Sequence, residues 1–472
     1  MNIFHVSAEC YPVAKVGGLA DVVGALPKYL NLKENTNAKV VLPAYDNKFI
    51  KENEFTTVFK GFLKLDWRNL SFTVYKEKSD ILGFELYIIA IPELFDRPNV
   101  YSYKDDTERF LGFQIAFLNW INETNADVQI LHCHDYHSGL IPFMVQNCFS
   151  YRQFQNTPTI LTIHNGQYQG WFGYDKLNLL PEFPAHEISK LEWKGIINPL
   201  ASAIKCCWKI TTVSPSYLNE ISFSANGLEN LLRQERHKSI GILNGIDTDV
   251  WNPKTDDSLE KNYDITFLIK GKLANKKFLC EQFNLDISKP LFTFIGRLVG
   301  EKGADLLSAA FDIILQRNPQ QINVLVLGSG DMQVENDLQQ LKHKYEGNYN
   351  TFVGYNEKLA HIIYAGADFL LMPSRVEPCG LNQMYALRYG TIPIVRRTGG
   401  LQDTVLDIGD GGFGICHDNV TLYDINHSVT RAIDLYSDDS TFQNIRKTAM
   451  RIDHSWHSIA QQYITVYQSL IQ

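Results

Sequence analysis

The stretch LFTFIGRLVGEKGADLLSAAFDII, residues 291–314, decides the fold because it joins a buried strand to an amphipathic helix. The apolar run at 291–295 predicts a strand, and Leu307, Ala310 and Ile314 recur at the spacing of one helix face. The same succession follows strands predicted at residues 3–6, 128–131, 159–163, 210–213, 322–327, 369–372 and 392–395. Continuous apolar strands that alternate with helices indicate parallel sheets covered on both faces, so the fold class is α/β.

Two groups of such strands lie on either side of a polar stretch at residues 247–275, which we interpret as the region between two domains. At roughly 150 residues per domain, a chain of 472 residues is expected to form two or three domains. We predict a first domain at 1–246, a second at 247–450 and a terminal helical segment at 451–472. Two doubly wound sheets are expected to face each other across a cleft, with ligands beyond the carboxyl ends of the strands.

The composition argues against several classes of partner. The formal net charge is -8 and no basic run interrupts the balance, so nucleic acid and anionic membrane surfaces are poor candidates. The amino terminus lacks a basic region followed by an apolar one, and no apolar run is long enough to span a bilayer. The eight cysteines are scattered without a CxxC pair, which indicates reduced thiols in a cytoplasmic protein.

Two Gly-Gly-Leu turns each follow a predicted strand, at 17–19 and at 399–401. Paired glycines let backbone N–H groups approach an anion at the start of a helix, and Lys15 adds a positive charge to the first turn. The alternative is a tight turn with close packing between helix and strand. Matching turns in both halves favour the interpretation that both domains bind one ligand.

Charged side chains stand at two other strand ends. Arg297 and Lys302 lie five residues apart across a strand-to-helix turn, a spacing that suits a diphosphate, whereas surface solvation is the alternative. Glu377 follows another strand, where its carboxylate can accept hydrogen bonds from sugar hydroxyls. Its alternative role is to complement the dipole of the next helix.

The run HCHDYH at residues 132–137 raises the question of a metal site. Zinc needs three or four ligands at suitable spacing, and the sequence offers neither HExxH nor paired cysteines. A sugar-binding or structural loop at a strand end is the favoured interpretation, and we predict neither a metal nor a cofactor.

Together these segments resemble the bacterial and plant glycogen (starch) synthases, the glycosyltransferase family 5 enzymes of GT-B fold. The resemblance covers nearly the whole chain. It is carried by KVGGLADVVGALP (15–27), HDYH (134–137), GILNGIDTDVWNP (241–253), PCGLNQMYALRYG (378–390) and RRTGGL (396–401). It implies two facing Rossmann-like domains, a closing cleft, and a C-terminal helix that crosses back to the first domain.

The resemblance also implies roles for single residues. Arg297 and Lys302 would hold the diphosphate of the donor, and Glu377 would bind its glucose hydroxyls. Backbone N–H groups near Gly18, Gly380 and Leu381 would assist, next to Lys15 and Cys379, and Tyr355 would stack on the base. His164 would line the anomeric centre, and the glucose and acceptor pocket would be shaped by Asp135, Asn244 and Asp21.

The implied reaction is retaining transfer of glucose from ADP-glucose to the non-reducing end of an α-1,4-glucan, with UDP-glucose as a possible donor. The resemblance implies attack on the face from which the diphosphate departs, with the leaving phosphate accepting the proton of the acceptor. Three other interpretations stay open: a non-catalytic glucan-binding relative, a pyridoxal phosphate-dependent glucan phosphorylase, and a zinc hydrolase built on residues 132–137.

Overall fold

The computed structural model describes residues 1–471, and they divide into two compact units. Unit 1 contains residues 1–245 and 456 onward, and unit 2 contains residues 246–455. Among the described residues, no helix combines the length and the apolarity needed to cross a lipid bilayer. All eight cysteines are buried free thiols.

Unit 1 is built on a nine-stranded sheet with helices on both faces and one small two-stranded hairpin. Its strands are β1 (Asn2–Val6), β2 (Asn37–Pro43), β3 (Phe55–Leu65), β4 (Arg68–Glu77), β5 (Glu85–Ala90), β6 (Ile130–His134), β7 (Thr159–Ile163), β8 (Glu192–Trp193), β9 (Ile196–Ile197), β10 (Lys209–Thr212) and β11 (Ser239–Gly241). Its helices before unit 2 are α1 (Gly18–Asn31), α2 (Lys48–Glu52), α3 (Asp106–Glu123), α4 (Ile141–Asn147), α5 (Pro199–Cys206), α6 (Pro215–Glu220) and α7 (Glu229–Gln234).

The order of strands in the large sheet is β11-β10-β7-β6-β1-β2-β5-β4-β3. From β11 to β5 the neighbours are parallel, as the buried apolar runs predict, whereas β4 pairs antiparallel with both β3 and β5. The parallel pairing is therefore confirmed for these strands, whereas the antiparallel edge formed by β3, β4 and β5 was not predicted. Strands β3 and β4 alternate exposed and buried residues, which is the pattern of a sheet with one solvent-exposed face.

Unit 2 is a doubly wound sheet of six strands in the order β14-β13-β12-β15-β16-β17, and every neighbouring pair is parallel. Its strands are β12 (Leu291–Leu298), β13 (Asn323–Gly330), β14 (Tyr349–Val353), β15 (Phe369–Met372), β16 (Ile392–Arg396) and β17 (Ile415–His417). Its helices are α8 (Leu268–Phe283), α9 (Leu307–Arg317), α10 (Met332–Lys344), α11 (Glu357–Gly366), α12 (Asn382–Arg388), α13 (Gly399–Thr404), α14 (Leu422–Ser437) and α15 (Asp439–Met450).

Strands β12, β13 and β6 extend past their predicted ends because neighbouring strands extend the pairing. Strand β12 continues past residue 295, since Arg297 and Leu298 pair with Ser329 and Gly330 of β13. Strand β6 likewise includes residues 132–134, which the sequence placed in a loop. The first three residues of the histidine-rich run therefore belong to the sheet of unit 1.

The polar stretch at 247–275 is packed onto unit 2. Trp251 stacks between His361 and Tyr385, at ring-centroid distances of 3.8 and 3.7 Å. The Asp256 carboxylate accepts hydrogen bonds from His361 at 2.7 Å and from Tyr389 at 2.6 Å. Buried contacts of this kind are those of a domain core and not of a free linker.

The last helix, α16 (Trp456–Ile471), belongs to unit 1. It packs on α1 and on β1, where Trp456, Tyr463 and Tyr467 are buried with Ile3 and Leu26. The Cβ of a larger residue at Gly245 would lie 2.7 Å from the Trp456 backbone nitrogen, so that glycine allows the close approach.

Candidate active site

In unit 2 the predicted donor-binding cations follow the end of β12. Arg297 lies on the strand itself, and its side chain is half exposed, with Nη2 3.5 Å from Glu301 Oε2. Lys302 lies in the short helical turn that follows, and Gly303 ends that turn at a φ of 68°. A Cβ at Gly303 would lie 2.4 Å from the Pro373 carbonyl oxygen, so this turn is packed against the segment after β15.

That packing brings Lys302 to Glu377. Lys302 Nζ donates to both carboxylate oxygens of Glu377, at 2.7 and 2.6 Å, and Ser374 Oγ donates to Oε2 at 3.0 Å. The Glu377 side chain is 7% exposed and that of Lys302 is 23% exposed. Because a buried carboxylate without its partner is strongly unfavourable, the lysine and the glutamate depend on each other for their positions.

The loop after Glu377 is held by the second glycine turn. Gly400 N donates to the carbonyl oxygens of Glu377 and Pro378, at 3.2 and 3.1 Å. A Cβ at Gly399 would lie 2.1 Å from the backbone carbonyl oxygen of Glu377, and one at Gly400 would lie 2.2 Å from the backbone carbonyl oxygen of Cys379. The second Gly-Gly pair is thus required by the packing of the chain on itself.

Three further predicted residues follow directly. Cys379 is buried, and its carbonyl oxygen accepts a hydrogen bond from Gln383 Nε2 at 3.0 Å. Gly380 has a φ of 74°, a conformation that favours glycine, and Leu381 directly precedes α12. On another loop of unit 2, Tyr355 is 72% exposed and its hydroxyl donates to Glu357 at 3.3 Å.

In unit 1 the first glycine turn is held by Glu9, a residue that the sequence interpretation missed. Glu9 Oε2 accepts hydrogen bonds from the backbone nitrogens of Val16 and Gly17, at 2.6 and 2.8 Å. Its Oε1 accepts one from the Tyr101 hydroxyl at 2.7 Å. A Cβ at Gly17 or at Gly18 would meet nothing within 4 Å, so the chain leaves open space beside this turn.

Lys15 and Asp21 flank the same turn and pair with each other. Lys15 Nζ lies 2.7 Å from Asp21 Oδ1, and the side chains are 32% and 22% exposed. The positive charge that the sequence predicts at this turn is therefore balanced by a carboxylate on the first turn of α1. An exposed pair of this kind is weak, so an anionic ligand could compete for the lysine.

Asp135 and His164 come together at the ends of β6 and β7. Asp135 Oδ1 accepts hydrogen bonds from the backbone nitrogens of His164 and Asn165, at 2.7 and 3.4 Å. Burial raises the pKa of Asp135 to about 7, even though these two bonds favour its charged form. Asp135 also has a φ of 53°, which is a costly backbone conformation outside glycine.

Asn244 lies after β11 and is buried at 5% exposure. Its Oδ1 has no hydrogen-bond partner among the described residues. A buried amide oxygen without a partner is unfavourable and is satisfied when a ligand or a water donates to it.

A cavity of about 220 Å³ opens in unit 1 beside Tyr136, the residue that follows Asp135 in the chain. Aromatic side chains and polar groups line it together, among them Tyr103, Asp106, Gln114, Tyr136, Trp171 and Phe172. The Trp171 side chain is 50% exposed. Flat aromatic faces mixed with hydrogen-bonding groups suit a sugar chain, whose rings have apolar faces and polar edges.

The candidate metal cluster combines two histidines of the run 132–137 with His5 of β1. His5, His132 and His134 offer ring nitrogens that lie within 4.8 Å of one another. However, both nitrogens of His132 are hydrogen bonded, to Tyr467 and Thr162, and both nitrogens of His134 are bonded to other histidines. A cation would have to break these bonds, so the donor set fits a hydrogen-bonded network better than a metal site.

Comparisons with known proteins decide the family. A model of the starch synthase catalytic domain matches residues 2–234, and a model of group 1 glycosyl transferases matches residues 275–448. The chain is 58% identical to a glycogen synthase of Flavobacterium johnsoniae over 472 residues, which cover all of both chains. The chain belongs to the glycogen and starch synthase family.

Other members of the glycogen and starch synthase family agree along the full length. A glycogen synthase of Bacillus anthracis is 38% identical, again over all of both chains. The solved catalytic domain of starch synthase IV from Arabidopsis thaliana, bound to ADP and acarbose, has a TM-score of 0.90 at 30% identity. This match covers 100% of the present chain and 99% of that one.

More distant structures support the fold alone. A sucrose-phosphate synthase from Thermosynechococcus elongatus is 16% identical with a TM-score of 0.62, covering 99% and 98% of the two chains. The fold is thus of the GT-B type with two sheet domains, as the sequence predicts, and the family matches show that the chain is a glycosyltransferase.

Proposed function

We propose that the chain elongates an α-1,4-glucan by transferring glucose from ADP-glucose with retention of configuration. The observation that carries this proposal is the likeness to a starch synthase structure that contains ADP and acarbose. ADP is the fragment that ADP-glucose leaves behind when its glucose is transferred. UDP-glucose is the second candidate donor, because stacking on Tyr355 does not distinguish adenine from uracil.

Unit 2 is proposed to bind the donor. Arg297 and Lys302 supply positive charge for the diphosphate, and Glu377 accepts hydrogen bonds from glucose hydroxyls. The Lys302–Glu377 pair supports this assignment, because a cation and a carboxylate 2.6 Å apart can bind the adjoining phosphate and glucose of one sugar nucleotide. The exposed ring of Tyr355 is proposed to stack on the base, and backbone N–H groups near Gly380 and Leu381 are proposed to assist in binding the diphosphate.

Unit 1 is proposed to supply the groups at the reacting carbon and the acceptor. The open space beside Gly18 leaves room for a phosphate against the backbone, with Lys15 as its cation. Asn244 Oδ1, which lacks a partner among the described residues, can accept a bond from a sugar hydroxyl. The 220 Å³ cavity with Trp171 has the chemistry of a glucan site.

The proposed mechanism uses no carboxylate nucleophile. Retaining hydrolases place an ionised carboxylate at the anomeric carbon, opposite a second carboxyl group. Asp135, the buried carboxylate beside His164, has one oxygen bonded to the backbone nitrogens of His164 and Asn165, and we assign it a positioning role in place of a nucleophilic one. The acceptor hydroxyl therefore attacks from the leaving-group side and gives its proton to the departing phosphate. Arg297 and Lys302 stabilise the charge that develops there.

Initial rates of glucan elongation with ADP-glucose and with UDP-glucose, both in the presence of EDTA, test the donor assignment. We expect elongation from ADP-glucose at the higher kcat/KM, undiminished by the chelator. A higher kcat/KM with UDP-glucose contradicts the donor. Loss of activity with EDTA that zinc restores favours the metal-dependent interpretation of the histidine cluster.

A further inference from the structure

His5 of β1 and His134 of the neighbouring strand β6 form a line of hydrogen bonds that ends at His164, the residue directly after β7. His5 on β1 pairs in register with His132 of β6, and the side chain of His134, two residues further, lies on the same face. His5 Nδ1 lies 3.0 Å from His134 Nε2, and His134 Nδ1 lies 2.9 Å from His164 Nε2. The line therefore runs from the centre of the sheet to the strand end where the reaction is proposed.

The three rings are uncharged. His5 and His134 are fully buried and His164 is 8% exposed. Burial lowers the pKa of His5 and of His164 to about 3 and lowers that of His134 well below its usual value. A neutral imidazole carries one N–H and one bare nitrogen, so each ring can donate once and accept once.

Two bonds in a row must then run in the same direction. If His5 donates to His134 and His134 donates to His164, the hydrogen of His164 lies on Nδ1. If the direction is reversed, His5 Nε2 must carry a hydrogen, yet this buried atom has no partner among the described residues. A buried N–H group without an acceptor is rarer than an acceptor without a donor, so the first direction is favoured.

We propose that His5 and His134 are positioning residues that hold His164 as the tautomer with hydrogen on Nδ1. This inference rests on the proposed function in one respect only, the role of His164 at the reacting carbon. Nδ1 of His164 has no hydrogen-bond partner among the described residues, so the N–H group that the line fixes there is available to a ligand. No proton moves along this line of hydrogen bonds. Its role is to fix the position of the N–H group of His164.

The consequence for the reaction is electrostatic. The anomeric carbon becomes electron-poor as the diphosphate departs, and a protonated histidine beside it would oppose that change. A neutral ring avoids the repulsion and still offers one hydrogen-bond donor to a sugar oxygen. Because the tautomer is fixed before the substrate arrives, no reorientation is needed during the reaction.

Long-range ¹H–¹⁵N spectra of ¹⁵N-histidine-labelled protein test the tautomer, since they separate a nitrogen that carries hydrogen from a bare one. The His164 signals are assigned by their loss in His164→Asn. We expect hydrogen on Nδ1 and a bare Nε2, unchanged over the pH range where free histidine titrates. Hydrogen on Nε2, or a mixture of both forms, overturns the proposal.

A matched pair of variants tests whether His5 acts through His164. His5→Leu fills the space without a donor, whereas the side-chain amide of His5→Asn can occupy the position of Nδ1 and donate. We expect His5→Leu to lower kcat about tenfold with little change in the donor KM, and His5→Asn to restore most of it. His5→Leu should also give His164 mixed tautomers in the spectrum, and His5→Asn should not.

The spectra of His164 and the kinetics of the His5 variants together separate this inference from the proposed function. Absence of glucosyl transfer in the wild-type protein contradicts the function, and the spectrum of His164 still decides the tautomer. Equal kcat values for His5→Leu and wild type, with unchanged His164 signals, overturn the role of His5. If His5→Leu does not fold, the wild-type spectrum and the His5→Asn comparison carry the test.

Discussion

Two turns of this molecule share the sequence Gly-Gly-Leu and differ in what surrounds them. In unit 2 a Cβ at Gly399 or Gly400 would lie 2.1 to 2.2 Å from backbone oxygens of the loop that contains Glu377. In unit 1 a Cβ at Gly17 or Gly18 would meet nothing within 4 Å. The same three residues thus serve internal packing in one unit and border open space in the other.

The charges beside the two turns differ in the same way. Beside the packed turn of unit 2, the buried Glu377 is neutralised by Lys302. Beside the open turn of unit 1, the Lys15–Asp21 pair is partly exposed and Glu9 is occupied with backbone nitrogens. Variants of unit 2 should therefore change both stability and turnover, whereas those of the open turn should change turnover alone.

The largest effect is expected for Lys302→Ala. Loss of a cation that stabilises the departing diphosphate should lower kcat by about 10²-fold or more. The change also leaves Glu377 buried without its partner, so the control is the double variant Lys302→Ala, Glu377→Ala, which removes both charges. Thermal unfolding and steady-state kinetics on both proteins separate the effects. Near-normal turnover in folded Lys302→Ala would contradict the role of Lys302 in stabilising the departing diphosphate.

Gly400→Ala should destabilise the protein more than any change at the open turn. Its methyl group would overlap the backbone of Cys379, with atoms at 2.2 to 2.6 Å, and we expect a loss of about 3 kcal/mol in the free energy of unfolding. Urea unfolding measures this loss, with Gly18→Ala as the matched control. Equal stability of the two variants would contradict the distinction between the turns.

Trp171→Ala tests whether glucan recognition belongs to unit 1. Removal of the aromatic face should raise the KM for the glucan about tenfold and leave the donor KM unchanged. The cavity lining provides the matched control Tyr103→Phe, which keeps the ring and loses only a hydroxyl. A change in the donor KM alone would assign the cavity to the other substrate.

Gly18→Ala should lower kcat/KM for the donor by about tenfold, because the methyl group occupies space proposed for a phosphate. Gly18 is the first residue of α1, and alanine is the better helix former, so stability should stay equal or rise slightly. Steady-state kinetics and thermal unfolding, measured on the same preparation, give kcat/KM for the donor and the stability of the variant. Unchanged kinetics would mean that the open space does not receive the donor.

The smallest effect is a pH dependence that originates in unit 1. His5 titrates near 6.5 when unfolded and near 3 when folded, so below pH 6.5 the unfolded state binds the proton first. Stability is therefore complete above 6.5 and declines as the pH falls towards 3, by up to about 1.4 kcal/mol per pH unit for each such histidine. His5→Leu should show a shallower decline in urea titrations at stepped pH. An identical slope would contradict the burial of a neutral His5.

The sequence allowed the strands to be predicted where both faces are buried. Strands β7 and β15 begin and end at the predicted residues, since apolar runs and polar ends coincide there. The ends of β12 and β6 were missed because pairing with neighbouring strands, and not local composition, determines how far they extend. The antiparallel edge was missed for a related reason, since alternation in β3 and β4 is a weaker signal than a continuous run.

The contacts within the candidate site were not predictable from the sequence, even between residues that it named. The sequence pointed to Lys302 and Glu377 separately, yet their pairing across 75 positions appears only in the fold. His5 and His134 are 129 residues apart and meet because β1 and β6 are neighbours. Glu9 follows the first strand, and the rule that a polar residue at a strand end is a candidate would have found it.

The reaction itself provides the most direct test of the account. The wild-type protein is given ADP-glucose and a maltooligosaccharide primer of defined length, and NMR follows the anomeric proton of each new bond. We predict longer primers with α-1,4 bonds at the non-reducing end and one ADP released for each glucose added. Release of free glucose without elongation, or a new bond of β configuration, would contradict the account.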